Sequence, residues 1–257
     1  MGMLESSDTY QGCIAPLFND MNQVKVIIDD MIILGFGTFE DHLNNVDECL
    51  RRLEENGMQI NPLKCLWIQP EVDFLGVTIT RQGVKPQLKK IRKIIAIKPP
   101  TNKRELRHFI GLINFYRKMI QRRAHILAPL TRMTSKNVPF KWTKECDDAF
   151  KEMKRILASG ALLNHPDFSE PFHVYTDASD LQMGGVVMQD GKPISFFAKK
   201  FTPAQLRYPT IDKELLSIVE TLKENRAILF GHKIICHTDH KNLTYPDTQF
   251  SSDRLLH

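Results

Sequence analysis

The chain has 257 residues, of which 42% are hydrophobic and 25% are charged, so wholesale disorder and collagen-like repeats are excluded. Its five cysteines are far apart and include no Cys-x-x-Cys pair. This argues against a disulfide scaffold or a zinc ribbon and favours a reducing intracellular compartment, either cytoplasm or nucleus. No apolar run approaches the about 20 residues that span a bilayer, and no secretory signal is visible. We therefore expect a soluble intracellular protein whose length suits two domains.

The modest net charge of +5 conceals a strongly basic segment. Residues 81–123 carry 14 Lys and Arg and one acid, Glu105, a net charge of +13, so the rest of the chain carries −8. Such a segment in an otherwise acidic chain is typical of a polyanion-binding surface. The alternative is a solvated helix face. Aromatic residues in the segment favour nucleic acid, although several apolar residues have the spacing of a helix core, namely Leu106, Phe109, Ile113, Tyr116 and Ile120.

An acidic pair is predicted at the tip of a hairpin near the start of the chain. Residues 24–28 and 31–34 are short apolar runs that flank Asp29-Asp30. Two adjacent carboxylates repel each other and are tolerated in water or around a cation. Magnesium prefers one or two carboxylates together with substrate phosphates. The alternative is a solvated turn, and the dipeptide by itself favours that alternative.

Capping pairs mark the starts of two predicted helices. In Thr38 with Asp41 and in Asn102 with Glu105, the first side chain can accept a hydrogen bond from the backbone three residues later. The first of these helices is expected to end at Gly57. The other elements predicted before residue 163 are extended pieces at residues 58–60 and 72–80 and a helix over residues 142–157.

The last third of the chain has the pattern of a mixed sheet with a helix. Asp190-Gly191 predicts a tight turn within a meander. A strand that follows a helix can lie parallel to the first strand of its sheet. The predicted elements are strands at residues 172–176, 185–189, 194–198 and 233–238 and a helix over residues 211–229, with Leu215, Ile218, Val219 and Leu222 facing inward.

Three further carboxylates belong to these elements. Asp177 lies in the first strand, Asp239 at the end of the last strand, and Glu214 near the start of the intervening helix. They could converge at one sheet edge and hold two divalent ions. Alternatively, Asp177 caps a turn, Glu214 interacts with the helix dipole and Asp239 caps another helix. The periodicity leaves both interpretations open.

The order of these motifs resembles the pol polyprotein of Ty3/Gypsy-type LTR retrotransposons, from about Cys13 to Tyr245. The motifs are the Asp-Asp hairpin followed by FLGVTI, ELRHFIGLINFYRKMI, YTDAS, DKELLSIV and HTDHKNLTY. The resemblance implies an α+β or α/β multidomain chain. Its parts would be the C-terminal part of a reverse transcriptase palm over residues 1–80, a basic thumb and connection over 81–165, and a truncated ribonuclease H-like mixed sheet with helices over 166–257.

The resemblance also assigns roles within the polymerase part. Ile27-Ile28-Asp29-Asp30 matches the family's Tyr-x-Asp-Asp box, in which Asp29 and Asp30 would help bind catalytic metal ions. Ile27 replaces the tyrosine, which should alter contacts near the primer terminus. Phe74-Leu75-Gly76 matches the hairpin that the family uses to hold the primer end.

In the ribonuclease H part, Asp177, Glu214 and Asp239 match metal-binding carboxylates, and the implied cofactor is Mg²⁺ or Mn²⁺. The implied partners are RNA, DNA and RNA–DNA hybrid, with deoxynucleotides as substrates. The implied nucleic-acid contacts in the basic segment are Lys89, Lys90, Arg92, Lys93, Lys103, Arg104, Arg107, Arg117 and Lys118.

Two departures from the family pattern concern the ends of the chain. The family's other palm aspartate is not matched upstream of the hairpin, where Asp20 aligns with a helix position. Asp253 does not replace the fourth ribonuclease H ligand. Both active sites are therefore expected to be incomplete, with no primer extension and weak or absent hybrid cleavage by this chain alone. The alternatives are a non-enzymatic, nucleic-acid-binding relic of a retroelement and a fragment that does not fold stably.

Overall fold

The computed structural model describes residues 6–160 and 162–240. They fold into two compact units, Met1–Phe74 and Leu75–His257. Asp253 and the predicted end of the family resemblance at Tyr245 lie outside the described residues. Among the described residues, no helix is both long enough and apolar enough to cross a membrane.

The first unit packs a short hairpin against two helices. Strands β1 and β2 are antiparallel, with Val24 opposite Ile33 and Ile27 opposite Asp30, which confirms the predicted hairpin. In chain order the elements are α1 (Ser6–Ile14), a 3-10 helix (Ala15–Phe18), β1 (Val24–Ile27), β2 (Asp30–Ile33), α2 (Phe39–Glu55), a 3-10 helix (Pro62–Lys64) and β3 (Glu71–Phe74). The core consists of Ile14, Phe18, Met21, Val24, Cys49 and Leu53.

Helix α2 begins where the capping pair predicted it. Thr38 Oγ1 accepts a hydrogen bond from the Asp41 backbone N–H at 3.1 Å, and Asp41 Oδ2 accepts one from the Thr38 N–H at 2.8 Å. The side chains of Thr38 and Asp41 thereby each satisfy a backbone donor that the first helical turn leaves unpaired. The helix ends before Gly57, whose φ is +67°.

The second unit contains a helical part that includes most of the basic segment. Its helices are α3 (Leu88–Ile95), α4 (Lys103–Phe115), a 3-10 helix (Arg117–Met119), α5 (Arg123–Ile126), α6 (Ala128–Met133) and α7 (Lys144–Ser159). The predicted core stripe from Leu106 to Ile120 is fully buried, and Asn102 caps α4 as expected. This core also contains Phe150, Met153 and Leu157 of α7.

A small antiparallel sheet adjoins these helices in the second unit. Its strands are β4 (Val77–Thr80), β5 (Gly83–Pro86) and β6 (Leu163–Asn164), with Val84 opposite both Ile79 and Leu163. The extended piece predicted at residues 72–80 is therefore wrong as one strand, because the chain turns at Leu75-Gly76 and forms β3 and β4. Residues 58–60 do not form a strand.

A four-stranded mixed sheet completes the second unit, in the order β10-β7-β8-β9. Strands β7, β8 and β9 form the predicted antiparallel meander, and β10 lies parallel to β7 as predicted. Asp190 and Gly191 both have positive φ and form the tight turn between β8 and β9. The elements are β7 (Phe172–Ala178), β8 (Gln182–Gln189), β9 (Lys192–Lys200), a 3-10 helix (Gln205–Arg207), α8 (Thr210–Glu224), α9 (Arg226–Leu229) and β10 (Ile234–His237).

Helix α8 packs on β7 and β8 through a face that was not predicted. The expected inward residues Leu215, Ile218, Val219 and Leu222 are only half-buried. The fully buried positions are Lys213, Glu214, Leu216, Ser217 and Thr221. Small and polar side chains thus allow the helix to pack close to the sheet, and Glu214 is buried at this contact.

Candidate functional sites

The acidic hairpin tip is exposed. Ile28 and Asp29 form the two-residue turn, and Asp30 is the first residue of β2, opposite Ile27. All four of these side chains are exposed. Ile28 has φ +52°, a left-handed conformation that is unfavourable for a β-branched residue. The two carboxylates therefore face solvent, where a divalent cation with phosphate groups could reach them.

Gln11 of α1 supports this hairpin from its side. Its Nε2 donates to the Val26 carbonyl at 3.1 Å, and its Oε1 accepts from the Ile28 backbone N–H at 2.5 Å. The side chain thus pairs backbone groups on both sides of Ile27. No sequence pattern predicts this role, because a glutamine in an ordinary helix carries no signal for a distant backbone partner.

The Leu75-Gly76 turn lies at the start of the second unit. Both residues have positive φ, +46° for Leu75 and +90° for Gly76. Gly76 is needed for its backbone conformation, and a Cβ there would lie 2.6 Å from the end of the exposed Lys90 side chain and 2.9 Å from the exposed Phe115 ring. Phe74, the third residue of this predicted motif, is the last residue of the first unit.

Helix α3 presents a cationic face. Its side chains Lys89, Lys90, Arg92 and Lys93 are exposed, whereas Ile91 and Ile94 are buried in the core. Lys90 Nζ lies 5.5 Å from the centre of the Phe115 ring, beside the Leu75-Gly76 turn. Four positive charges in one and a half helical turns can approach successive phosphates of a nucleic-acid backbone.

The other predicted basic contacts are mostly engaged within the second unit. Lys103 Nζ donates to the Ser135 carbonyl at 2.6 Å, and Arg107 donates to the Thr134 carbonyl at 3.0 Å. Arg117 forms an ion pair with Glu224 at 3.0 Å, and Lys118 donates to the Glu224 carbonyl at 3.3 Å. Arg104 is exposed. Intramolecular bonds to carbonyls and to Glu224 therefore divide the predicted set into an accessible group and an engaged group.

The three remaining carboxylates belong to neighbouring elements of the second unit. Tyr175 of β7 lies opposite His237 of β10 in a parallel register. The strand pairing ends at this pair, and Asp177 and Asp239 each lie two residues further along their own part of the chain. Both carboxylates are exposed at this end of the sheet.

Glu214 approaches the same end of the sheet from α8. Its Oε1 accepts a hydrogen bond from the Ala178 N–H at 3.3 Å, immediately after Asp177 in the chain. Ser217, one turn later, donates to the carbonyls of Gly184 at 3.0 Å and Asp177 at 3.3 Å. These bonds hold the first turns of α8 against β7 and β8 and place the Glu214 carboxyl beside the end of β7.

The surroundings of Glu214 disfavour its charged form. Burial raises the pKa of its carboxyl, the hydrogen bond from the Ala178 N–H opposes this, the carboxylates of Asp239 and Asp177 raise the pKa further, and His240 lowers it. Its Oε2 is buried and has no hydrogen-bond partner among the described residues. A buried carboxylate oxygen without a donor is unfavourable, and a cation would satisfy it.

The side-chain positions themselves do not enclose a metal ion. Within residues 6–160 and 162–240, no group of three or more His, Cys, Asp or Glu side chains is close enough to hold one. The donor chemistry and the unpaired Glu214 Oε2 fit a divalent cation, whereas a closed ligand cluster is not formed. The predicted convergence of Asp177, Glu214 and Asp239 on one ion therefore stays a prediction.

Comparison with known proteins identifies two parts of the chain. A family model described as reverse transcriptase (RNA-dependent DNA polymerase) matches residues 1–79. A second, described as an RNase H-like domain found in reverse transcriptase, matches residues 142–236. The retrovirus-related Pol polyprotein from transposon 297 of Drosophila melanogaster is 34% identical over 249 residues, which cover 95% of this chain and 23% of the relative. The chain carries reverse transcriptase and ribonuclease H-like parts of a retrotransposon Pol polyprotein.

Another relative and a solved structure agree with this assignment of the Pol segment. The transposon Tf2-3 polyprotein of Schizosaccharomyces pombe is 36% identical over 231 residues, covering 86% of the Pol segment and 17% of the relative. A foamy viral protease-reverse transcriptase in complex with RNA/DNA hybrid matches with a TM-score of 0.81 and 25% identity, covering 95% of the segment and 34% of that chain. The segment thus spans about a quarter or less of the curated relatives. The predicted reverse transcriptase and ribonuclease H-like fold is confirmed.

The matched regions of the Pol segment contain most of the candidate carboxylates. Asp29 and Asp30 lie within the reverse transcriptase match, and Asp177 and Glu214 lie within the RNase H-like match. Asp239 follows the end of that match by three residues, and the basic segment lies between the two matches. The roles of these residues are therefore argued from their geometry.

Proposed function

We propose that this chain is part of a Ty3/Gypsy-type Pol protein that binds a nucleic-acid duplex and presents two carboxylate sites to it. Asp29 and Asp30 would serve RNA-directed DNA synthesis from deoxynucleotides. Asp177, Glu214 and Asp239 would serve RNA cleavage in an RNA–DNA hybrid. The proposed parts are the palm over residues 1–80, the thumb and connection over 81–165, and ribonuclease H over 166–257. The hybrid bound by the foamy viral relative supports this choice of partner.

The observation that carries the proposal is the arrangement around Glu214. The Glu214 carboxyl of α8 lies beside the end of β7, where its Oε1 accepts the Ala178 N–H, and its buried Oε2 has no hydrogen-bond partner among the described residues. Three acids at one place raise each other's energy, and α8 is nevertheless fixed there by Ser217. A purely structural helix would not need an acid at this buried position.

Mg²⁺ or Mn²⁺ fits the chemistry of this site. Asp177, Glu214 and Asp239 would hold the ion there, and Asp29 and Asp30 would hold one at the hairpin tip. A divalent ion at such a site neutralises charge on phosphate and on the attacking and leaving oxygens. The protein's own contribution is to position the carboxyl of Glu214, to which the Ala178 N–H donates a hydrogen bond at 3.3 Å.

A thermal-shift measurement tests the carboxylate site without requiring catalysis. Mg²⁺ or Mn²⁺ should raise the Tm of the full chain, because an ion that binds the folded state stabilises it by mass action. Asp177→Asn and Glu214→Gln should remove most of this rise. Asp180→Asn is the control for removing a nearby acid, because Asp180 lies three residues from Asp177, is almost fully exposed and makes a long ion pair with Lys213 at 3.6 Å.

An equal metal-induced rise in Tm in the wild type, Asp177→Asn and Glu214→Gln would contradict the assignment of the site. In a longer Pol protein that cleaves an RNA–DNA hybrid, the same two substitutions should abolish cleavage, whereas Asp180→Asn should retain it.

Duplex binding is proposed to depend on the cationic face of α3. Its four basic side chains, Lys89, Lys90, Arg92 and Lys93, are exposed and extend from a buried apolar face, and one of them lies beside the Leu75-Gly76 turn. The number of phosphate contacts can be measured from the salt dependence of binding, because log affinity falls by about 0.9 per decade of salt for each phosphate contacted on duplex DNA. Arg104 extends this accessible group, whereas Lys103, Arg107, Arg117 and Lys118 contribute through the intramolecular bonds that shape the surface.

Changing Lys89, Lys90, Arg92 and Lys93 together to Gln should weaken binding to unrelated duplexes to a similar extent and flatten the salt dependence. Fluorescence anisotropy with an RNA–DNA hybrid over several salt concentrations measures both effects. The matched control neutralises four exposed basic residues elsewhere in the second unit, Lys141, Lys144, Lys151 and Arg155. Binding that is insensitive to salt, or equal losses in both quadruple variants, would show that α3 is an ordinary solvated face.

A further inference from the structure

A buried tyrosine makes a hydrogen bond to the Leu75-Gly76 turn from the core side. Tyr116 Oη donates a hydrogen bond to the Gly76 carbonyl at 2.9 Å, across 40 residues of sequence. The tyrosine is 3% exposed, and its ring lies in the same core as Phe109 and Ile113. Burial also raises the pKa of Tyr116, so its hydroxyl stays protonated and remains a donor. The bond is therefore a fixed feature of the folded unit.

The turn needs such support because its backbone is strained. Leu75 has a positive φ, a left-handed conformation that is unfavourable for any L-residue other than glycine. The Gly76 carbonyl also receives the Gln87 N–H, but at 3.4 Å, which is long for a hydrogen bond. Among the described residues, the Tyr116 hydroxyl thus makes the shorter of the two hydrogen bonds to the Gly76 carbonyl.

The same turn is enclosed from the other side by the cationic face. Lys90 Nζ and the Phe115 ring both lie within 3 Å of where a Gly76 Cβ would be. Gly76 therefore has Lys90 on its exposed side and the Tyr116 hydroxyl on its buried side, and the hydrogen bond from Tyr116 fixes the position of the turn relative to Lys90. Removing the hydroxyl leaves the Gly76 carbonyl with the long bond from the Gln87 N–H, and the turn is then less firmly held relative to Lys90.

We propose that Tyr116 is a positioning residue for the nucleic-acid strand end, acting through the Leu75-Gly76 turn. This rests on the proposed function, in which Lys90 and the other cationic residues of α3 contact the duplex, and on the resemblance of Phe74-Leu75-Gly76 to the hairpin that holds the primer end. Tyr116 itself touches no nucleic acid. Its hydroxyl holds the turn in the position in which the turn and Lys90 contact the same nucleic-acid strand.

Tyr116→Phe tests this role because it removes the hydroxyl and keeps the buried ring. Two probes are compared by anisotropy on the full chain: a hybrid with a recessed primer 3′ end and a long hybrid without an accessible end. The Kd for the recessed hybrid should rise about two- to tenfold, the range expected for one lost hydrogen bond. The salt dependence should not change, because no phosphate contact is lost, and binding of the end-free hybrid should be nearly normal.

Two comparisons separate positioning from a loss of stability. Lys90→Gln should weaken both probes and flatten the salt dependence, whereas Tyr10→Phe, an exposed tyrosine of α1, should change neither. Combining Tyr116→Phe with Leu75→Ala should give less than the sum of the two single effects on the recessed hybrid, because both act through one turn.

The outcomes are distinct. Unchanged affinity of Tyr116→Phe for the recessed hybrid overturns the inference, and so does an equal loss for both probes accompanied by a lower Tm. If the wild-type chain binds neither probe, the proposed function itself is wrong. If it binds both with normal salt dependence and Tyr116→Phe matches it, only the positioning role is wrong.

Discussion

The carboxyl group of Glu214 is buried, lacks a partner for one oxygen and lies near two other acids. Its raised pKa has a direct consequence for stability. Between its ordinary pKa of about 4.3 and its raised folded value, the folded state binds more protons than the unfolded state. The free energy of unfolding therefore falls as the pH rises through this window.

Glu214→Gln should remove this loss of stability. The variant should be more stable than the wild type at neutral pH, by about 2–4 °C in Tm if the gain is near 1 kcal/mol, and less sensitive to pH above 5. Thermal melts from pH 4 to 8 without divalent ions measure the difference. Glu220→Gln is the control, since Glu220 lies on the same helix and pairs with Lys199. A parallel pH dependence in Glu214→Gln and wild type would contradict the electrostatic account.

Ile28 at the hairpin tip is a second residue with a measurable effect. Its φ of +52° is unfavourable for a β-branched side chain and acceptable for asparagine. Ile28→Asn should therefore stabilise the first unit by about 1 kcal/mol in denaturant titrations. Ile27→Asn provides the comparison, because Ile27 is equally exposed but lies in β1 with ordinary strand geometry. Equal changes in the two variants would show that side-chain polarity, and not backbone strain, decides the result.

At this scale the sequence identified the charged candidates but not their partners. Asp29, Asp30 and Glu214 stand out because acids interrupt apolar patterns at those positions. Gln11 and the hydroxyl of Tyr116 do not stand out, since each bonds to a backbone group far along the chain. The engagement of Lys103 by the Ser135 carbonyl was also not predictable, because composition counts charges without showing which of them are satisfied.

At the scale of elements, the contact between α8 and β8 depends on one of two adjacent glycines, Gly185. A Cβ on Gly185 would lie 2.7 Å from Thr221 Cγ2, whereas a Cβ on Gly184 would have no neighbour closer than 3.8 Å. Side chains larger than hydrogen at Gly185 would therefore push α8 away from the sheet. Because Glu214 belongs to the same helix, the glycine also sets the distance between that carboxyl and the end of β7.

Gly185→Ala should destabilise the second unit by about 1–3 kcal/mol, the usual effect of overpacking a tight interface. It should also reduce the rise in Tm produced by Mg²⁺ or Mn²⁺. Gly184→Ala has the same chemistry at the neighbouring position and should have little effect on either quantity. Denaturant unfolding and thermal shift on both variants make the comparison. If Gly184→Ala is the more damaging of the two, the close approach of α8 at Gly185 does not govern the site.

Elements were predictable where a local signal defines them. The capping pairs at Thr38 and Asn102 and the Asp190-Gly191 turn depend on neighbouring residues, and all three are as predicted. The inward face of α8 was wrong, because Ser217 and Thr221 are buried against glycines, and a pattern based on apolar residues cannot show that. The break at Leu75-Gly76 was missed by the periodicity, since a leucine with positive φ gives no turn signal, and only the family resemblance indicated a hairpin there.

At the scale of the whole molecule, the charge segregation is partly resolved within the second unit. The segment with the highest positive charge forms helices whose engaged residues bond to the acidic remainder, as Arg117 does with Glu224. Close to the predicted boundary between residues 165 and 166, the chain still pairs with a distant segment, because β6 lies beside β5 about 80 residues upstream. The three-part division of the chain stays a prediction, and no local pattern could have shown this long-range pairing.

The parallel pairing of β10 with β7 also bears on how the second unit forms. Tyr175 and His237 are neighbours in the sheet but 62 residues apart in the chain, whereas β8 and β9 are joined by a two-residue turn. Closing a long loop loses more chain entropy than closing a short one, so the meander should acquire protection first. In pulse-labelled hydrogen exchange, the amides of β8 and β9 should be protected before those of β10, and simultaneous protection would contradict this order. Asp239 would then join Asp177 late in folding, so the metal site would be absent from early intermediates and divalent ions would slow unfolding more than they speed refolding.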